Sequence, residues 1–292
     1  MSEKYRKKLK VKIRPKMRVL NRALEGNWNT VFKGRGMEFT NFKQYILGDD
    51  ARKIDWKASL RCGDVLVKEL EEYHALNVFF LFDASNSMLC SSTGQLKSEY
   101  GAELISNLCY NIIKSGDAVG MGMFTDEIIT KIIPAKGQGM HFKILQELEN
   151  LKNYGGEFNL KKALMLANSF LDEGTMVIIV SDFIGLKEGW IKYIKILSRK
   201  YDLMGIMIRD PRDYSMPEKN GQYLLEDPFT KEKMYIDAHQ YRKIYADEAE
   251  KKKKFVKQVF EKARMGFVCL HTDQDFEKPI IDYFRKRVIS SR

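Results

Sequence analysis

From residue 77 onward, short and wholly apolar runs alternate with longer stretches whose apolar residues recur at helical spacing. NVFFLFD (77–83), AVGMGMFTD (118–126), MVIIVSD (176–182), DLMGIMIRD (202–210) and MGFVCLHT (265–272) have strand length. They lack polar alternation within their apolar parts, which predicts strands buried on both faces. EIITKIIP (127–134) predicts an antiparallel return of the strand before it. Residues 94–116 carry Leu104, Leu108 and Ile112 on one helical face and stop at Gly116. Residues 141–151, 160–172, 187–200, 239–264 and 276–288 also read as helices. Apolar strands alternating with helices predict an α/β fold with a mainly parallel sheet, helices on both faces and one antiparallel edge strand.

Two segments depart from that alternation. Residues 33–72 are rich in glycine, charge and aromatics without helical spacing. Residues 211–238 carry turn signals at Pro217, Asn220-Gly221 and Asp227-Pro228, and QYLLE and KMYID predict a small hairpin between them. The chain therefore divides into an extension over residues 1–72 and an α/β domain over 73–292.

Composition narrows the classes. The 292 residues are 44% hydrophobic, with 20 Gly and 6 Pro, as in a folded protein. No apolar run approaches the roughly 18–20 residues of a membrane span. The first 17 residues hold no apolar core of signal-peptide length, so the expected location is the cytoplasm. Cys62, Cys90, Cys109 and Cys269 share no CxxC spacing and read as reduced thiols; the four histidines form no zinc-like cluster. The net charge of +11 is uneven, because residues 1–22 hold ten basic side chains against Glu3 alone. Such an arm suits nucleic acid, an anionic surface or an acidic partner. The blander reading, a solvated helix packed through Leu9, Ile13, Val19, Leu20 and Leu24, is preferred. Nucleic-acid or anionic-surface binding through this arm is the alternative function; it has little aromatic interleaving and no helix-turn-helix or zinc pattern beside it. KKKK (251–254) reads as a solvent face next to Glu248 and Glu250.

The candidate chemistry lies in LFDASNSM (81–88), where Asp83, Ser85 and Ser87 take alternate positions after a buried strand. One carboxylate and two hydroxyls suit a hard cation such as Mg²⁺, which takes six oxygen ligands and keeps several waters. The same residues also suit a capped strand-to-helix turn. Asp182 ends another apolar run at the same edge of the sheet, where ligands of such folds collect, and this favours the ligand reading. A phosphoryl-transfer enzyme would want a second Asp where Ser85 stands, so no enzymatic activity is expected. No G-x-x-x-x-G-K-[ST] is present, and any ATPase activity must belong to a partner.

D-x-S-x-S after an apolar strand resembles the metal-ion-dependent adhesion site of von Willebrand factor A domains. GRGMEFTNFKQYILGDDARKIDWKASLRCGDVLVKELEE (34–72), VIIVSDF (177–183) and RDPRDYSMP (209–217) extend the match to the prokaryotic family called domain of unknown function 58. The resemblance implies a von Willebrand A-like sheet and no catalysis. It implies a protein-docking adaptor working beside a MoxR-type AAA+ ATPase in assembling or activating other complexes. Asp83, Ser85 and Ser87 would ligate Mg²⁺ (or Mn²⁺ or Ca²⁺), with Asp182 acting through water. The family's Thr ligand is missing from YGGEFNLKKAL (154–164): one count puts Glu157 in its place and another puts Phe158 there. Arg35, Glu38, Asp49, Asp50, Arg52 and Asp55 form either a partner surface or a salt-bridged network, and Tyr45 and Trp56 are expected to pack.

Overall fold

A computed structural model describes residues 35–73, 76–219 and 221–290. The basic arm of residues 1–22 lies outside the described residues. The chain divides into a small unit, Phe32–Leu76, and a main unit that includes Asn77–Arg292.

Within the small unit, β1 (Arg35–Gln44) pairs antiparallel with β2 (Leu66–Tyr73) through a register with two irregularities. Between them lies α1 (Trp56–Cys62), which starts at Asp55 and stops at Gly63. The Asp55 carboxylate accepts from the amides of Lys57 and Ala58 at 3.0 and 3.1 Å, satisfying donors that a helix start leaves unpaired. Gly63 takes φ 80°, a left-handed cap that glycine adopts without Cβ strain.

In the main unit, β3 (Asn77–Asp83), β4 (Ala118–Phe124), β5 (Ile128–Ala135), β6 (Met176–Ser181), β7 (Asp202–Arg209) and β10 (Gly266–His271) form one sheet. Its order is β10-β7-β6-β3-β4-β5. All neighbours are parallel except β4 and β5. The mainly parallel α/β class and the antiparallel edge strand are those the sequence predicts. Central β3, β4 and β6 are buried nearly end to end, whereas β5 alternates half-buried and exposed positions as an edge strand must. Pro134 lies in that edge strand beside the register irregularity between Val119 and Met121, a place that tolerates a missing N–H. A separate hairpin pairs β8 (Gln222–Glu226) with β9 (Lys233–Asp237), also as predicted.

Helices α2 (Lys97–Lys114), α3 (Gly139–Glu149), α4 (Leu160–Asn168), α5 (Trp190–Leu197), α6 (Ala238–Lys262) and α7 (Glu277–Ser290) complete the main unit. One core layer joins Phe79, Leu81, Val177 and Ile179 of the sheet to Leu164, Ile194 and Phe260 of α4, α5 and α6. Each such side chain contributes about 1.5–3 kcal/mol by leaving water. A Cβ at Gly101 of α2 would lie 2.7 Å from the Phe82 ring, so this glycine lets the helix sit close to the sheet. The chain runs from β3 outward to β5 and then returns to place β6 on the other side of β3. That reversal sets the carboxyl ends of β3 and β6 side by side, the place where ligands of such folds collect.

Candidate functional site

Asp83 ends β3 and Asp182 follows β6, and strand pairing brings the two tips together. Asp83, Ser85 and Asp182 have no exposed surface, and Ser87 has 1%. Asp83 Oδ1 accepts from the Ser85 amide at 2.9 Å, and Oδ2 accepts from Ser181 Oγ at 2.6 Å. The hydroxyls of Ser85 and Ser87 are 3.2 Å apart, and Ser87 donates to Asp182 Oδ1 at 3.1 Å. Four of the sequence-predicted residues therefore form one buried cluster from two parts of the chain.

Backbone bonds hold the loop after β3 in place. The Ala84 amide donates to Phe124 of β4, and the Ala84 carbonyl accepts from Gly155, both at 2.8 Å. Asn86 and Gly156 bond reciprocally: the Asn86 amide donates to the Gly156 carbonyl at 3.0 Å, and the Gly156 amide donates to Asn86 Oδ1 at 3.2 Å. On the other strand, Phe183 takes φ 53°, a region costly for a side chain of this bulk. Its amide donates to Ser181 Oγ at 2.9 Å, and its ring packs on Phe260. The next amide, Ile184, donates to Asp182 Oδ1 at 2.9 Å. Asp182 is thus fixed by a strained turn that the core holds in place.

Sequence reasoning missed three further members. Ser181 is one. Lys97, at the start of α2, is the second: its side chain is 1% exposed, and Nζ donates to Asp182 Oδ2 at 2.7 Å. The third is Asp213, whose oxygens accept from Lys97 Nζ at 2.9 and 3.1 Å. Burial opposes the Lys97 charge, yet Asp182 and Asp213 outweigh it and raise its pKa above the usual lysine value. Asp83 has no such cation among the described residues: burial first, then the charge of Asp182, push its pKa up to about 7.

Other predicted positions lie elsewhere. Glu157 is exposed and takes Lys187 Nζ at 2.7 Å, outside the buried cluster. Phe158 points into the core against Phe124. In the small unit, Asp49 accepts from Lys43 at 2.7 Å and Asp50 from Arg52 at 3.1 Å, and these contacts hold both carboxyls below the usual range. Asp50 also caps the short turn Ala51–Lys53, as Asp55 caps α1. Arg35 and Glu38 lie in β1 opposite Tyr73 and Glu71. Trp56, expected to pack, is 66% exposed, because the single short helix that carries it turns this position outward.

Hydroxyl and carboxylate oxygens are the ligands Mg²⁺ prefers. Adjacent ligands in an octahedron with bonds of 2.0–2.1 Å stand about 3 Å apart. The 3.2 Å between the hydroxyls of Ser85 and Ser87 fits that edge. Among the described residues, no group of three or more His, Cys, Asp or Glu side chains forms a metal site, so any cation here would rest on the serines. No described helix is long and apolar enough to cross a membrane.

Comparison with known proteins adds the following. A family model described as "Protein of unknown function DUF58" matches residues 41–255. Uncharacterized proteins of Mycobacterium bovis and of two Mycobacterium tuberculosis strains are 21% identical to the chain over 210 residues, 71% of its length. The chain spans 66% of the length of these curated relatives, just under two thirds. Among solved structures, a conserved hypothetical protein, BatB, from Bacteroides thetaiotaomicron is 18% identical with a TM-score of 0.48, over 74% of this chain and 100% of that one. An aerotolerance-related membrane protein from Bacteroides fragilis is 17% identical with a TM-score of 0.47 over the same shares. A von Willebrand factor type A structure from Catenulispora acidiphila is 12% identical with a TM-score of 0.33, over 48% of this chain and 35% of that one.

Proposed function

The chain belongs to the DUF58 family of proteins of unknown function, and from that premise we propose that it is a non-enzymatic adaptor that docks a partner protein through the tips of β3 and β6. Asp83, Ser85 and Ser87 hold Mg²⁺ there, and Asp182 reaches it through water. The observation that carries this reading is the convergence of two carboxylates and three hydroxyls from two neighbouring strand tips. The bound ion supplies positive charge to which an acidic side chain of the partner can add. The protein's part is to gather the oxygens and set their charge. An entering cation replaces the hydrogen bonds from Ser85 to Ser87 and from Ser87 to Asp182, and it favours the ionised form of Asp83. Lys97 already neutralises part of the charge on Asp182, which makes the ion exchangeable rather than permanent.

The partner is a MoxR-type AAA+ ATPase, which supplies the nucleotide chemistry that this chain lacks. The small unit adds a second contact. Ile46, Leu47, Trp56 and Leu60 are 66–97% exposed, and Trp56 and Leu60 share one face of α1 at a spacing of four residues.

Affinity capture of cell proteins on the immobilised chain tests the reading. Capture of a AAA+ ATPase in Mg²⁺ should be lost in EDTA, and lost again with Asp83→Ala at unchanged circular dichroism. Capture that ignores both changes puts docking elsewhere.

A further inference from the structure

The stretch RDPRDYSMP begins at Arg209, the last residue of β7, and three of its four charged side chains have partners, Arg212 through the Ser215 carbonyl at 3.5 Å. Asp210 caps the turn Pro211–Asp213 and accepts from the amide and hydroxyl of Ser92. Asp213 holds Lys97. Arg209 is different. It is 7% exposed, yet its guanidinium has no carboxylate or hydrogen-bond partner among the described residues. A guanidinium keeps its charge in proteins, and this one, with its stem buried and its nitrogens still in reach of solvent, is free to take an anion.

Arg209 faces a cavity of about 750 Å³, within the range of small-molecule sites. Leu186, Trp190, Phe255 and Val256 give it an apolar wall. Three of its charged residues are satisfied elsewhere: Lys187 by Glu157, Asp213 by Lys97 and Glu248 by Lys251. Its lining charges balance, Lys187, Arg209 and Lys252 against Glu188, Asp213 and Glu248, so the positive end is local to Arg209, the one of them that is buried without a partner among the described residues. A second, independent feature has the same sign. Helix α5 starts in this wall at Gly189 and Trp190, and its first amides receive no side-chain cap. Unpaired amides at a helix start favour an anion.

We propose that this cavity binds an amphipathic organic anion, with its charged head at Arg209 and the start of α5 and its apolar body against Trp190 and Phe255. The head is a carboxylate or a phosphate monoester, which share the planar or trigonal array of oxygens that a guanidinium fork accepts. The cavity adjoins the Asp83 cluster and shares Asp213 with it, but the proposed contacts at Arg209 and the start of α5 do not depend on a metal there.

Calorimetric titration tests this with 4-phenylbutyrate, 4-phenylbutyl phosphate and the neutral 4-phenylbutan-1-ol as probes. At least one anion should bind tenfold or more tightly than the alcohol, and the better anion identifies the head group. Arg209→Gln should weaken that anion at least tenfold and leave the alcohol unchanged. Phe255→Ala, at a position 51% exposed and so safe for the fold, should weaken anion and alcohol alike. Because Arg209 has no partner to lose, Arg209→Gln should not lower the melting temperature. The proposal is overturned if neither anion outbinds the alcohol, if Arg209→Gln leaves anion affinity unchanged, or if that variant unfolds at lower temperature.

Discussion

An ammonium group taken out of water loses several kcal/mol of hydration. Lys97, at 1% exposure, offsets that loss with Asp182 and Asp213 at 2.7 and 2.9 Å. Lys97→Met leaves Asp182 buried without its cation, and should cost about 3–5 kcal/mol in urea unfolding. Added Mg²⁺ should recover part of that loss, since a cation bound only by the folded chain stabilises it. A loss that is the same with and without Mg²⁺ separates Lys97 from the ion. Asp83 gives a prediction in pH. Its pKa is raised from 3.8 to about 7, so between those values the folded chain holds a proton that the unfolded chain has released. This contribution to stability is complete below pH 3.8 and disappears as pH rises through 7. Asp83→Asn should remove that part of the slope in stability measured from pH 4 to 7. The sequence disclosed Asp83, Ser85, Ser87 and Asp182 because each stands at or just past the end of an apolar run. It also held a signal for Lys97, seven and eleven residues before Leu104 and Leu108 and so on their face of the helix. Glu157 was beyond its reach. Gly155 and Gly156 take φ 110° and 113°, and this turn, invisible in the letters, sends Phe158 into the core and Glu157 outward to Lys187.

At the scale of elements, the buried strands were legible because their apolar runs are short, continuous and bounded by polar turns. The helices were legible through their spacing, although several prove shorter than the pattern suggests. Residues 160–172 carry the periodicity, but α4 ends at Asn168, where Ser169 turns back onto its carbonyls. The small unit resisted for a physical reason. Seven residues of α1 make about two turns, too few to show a period. The pairing of β1 with β2 breaks register twice, which scrambles alternation. Helix α2 carries both Lys97 and Gly101, so its closeness to the sheet also sets the reach of Lys97. Gly101→Ala gains about 1 kcal/mol in helix propensity. It also places a methyl 2.7 Å from Phe82 and 3.0 Å from Ile208, an overpacking cost of about 1–3 kcal/mol. A net loss of stability is expected in urea unfolding, and a gain would show that the helix can lift from the sheet without penalty.

At the scale of the whole molecule, the proposed docking uses two regions: the β3 and β6 tips, whose buried oxygens must open to a partner, and the exposed apolar residues of the small unit. Leu47→Glu with Leu60→Glu should abolish capture of the ATPase, because charge then meets an apolar contact. Both positions are at least 86% exposed, so unfolding should change by less than about 0.5 kcal/mol each. Everything proposed for the strand tips depends on whether their oxygens take a divalent cation, and calorimetric titration of the chain with Mg²⁺ measures that directly. The expected result is one ion bound per chain at millimolar Mg²⁺, lost in Asp83→Asn and in Ser87→Ala while both variants keep the wild-type circular dichroism. Absence of binding to the wild type, or binding that survives both substitutions, would contradict the account.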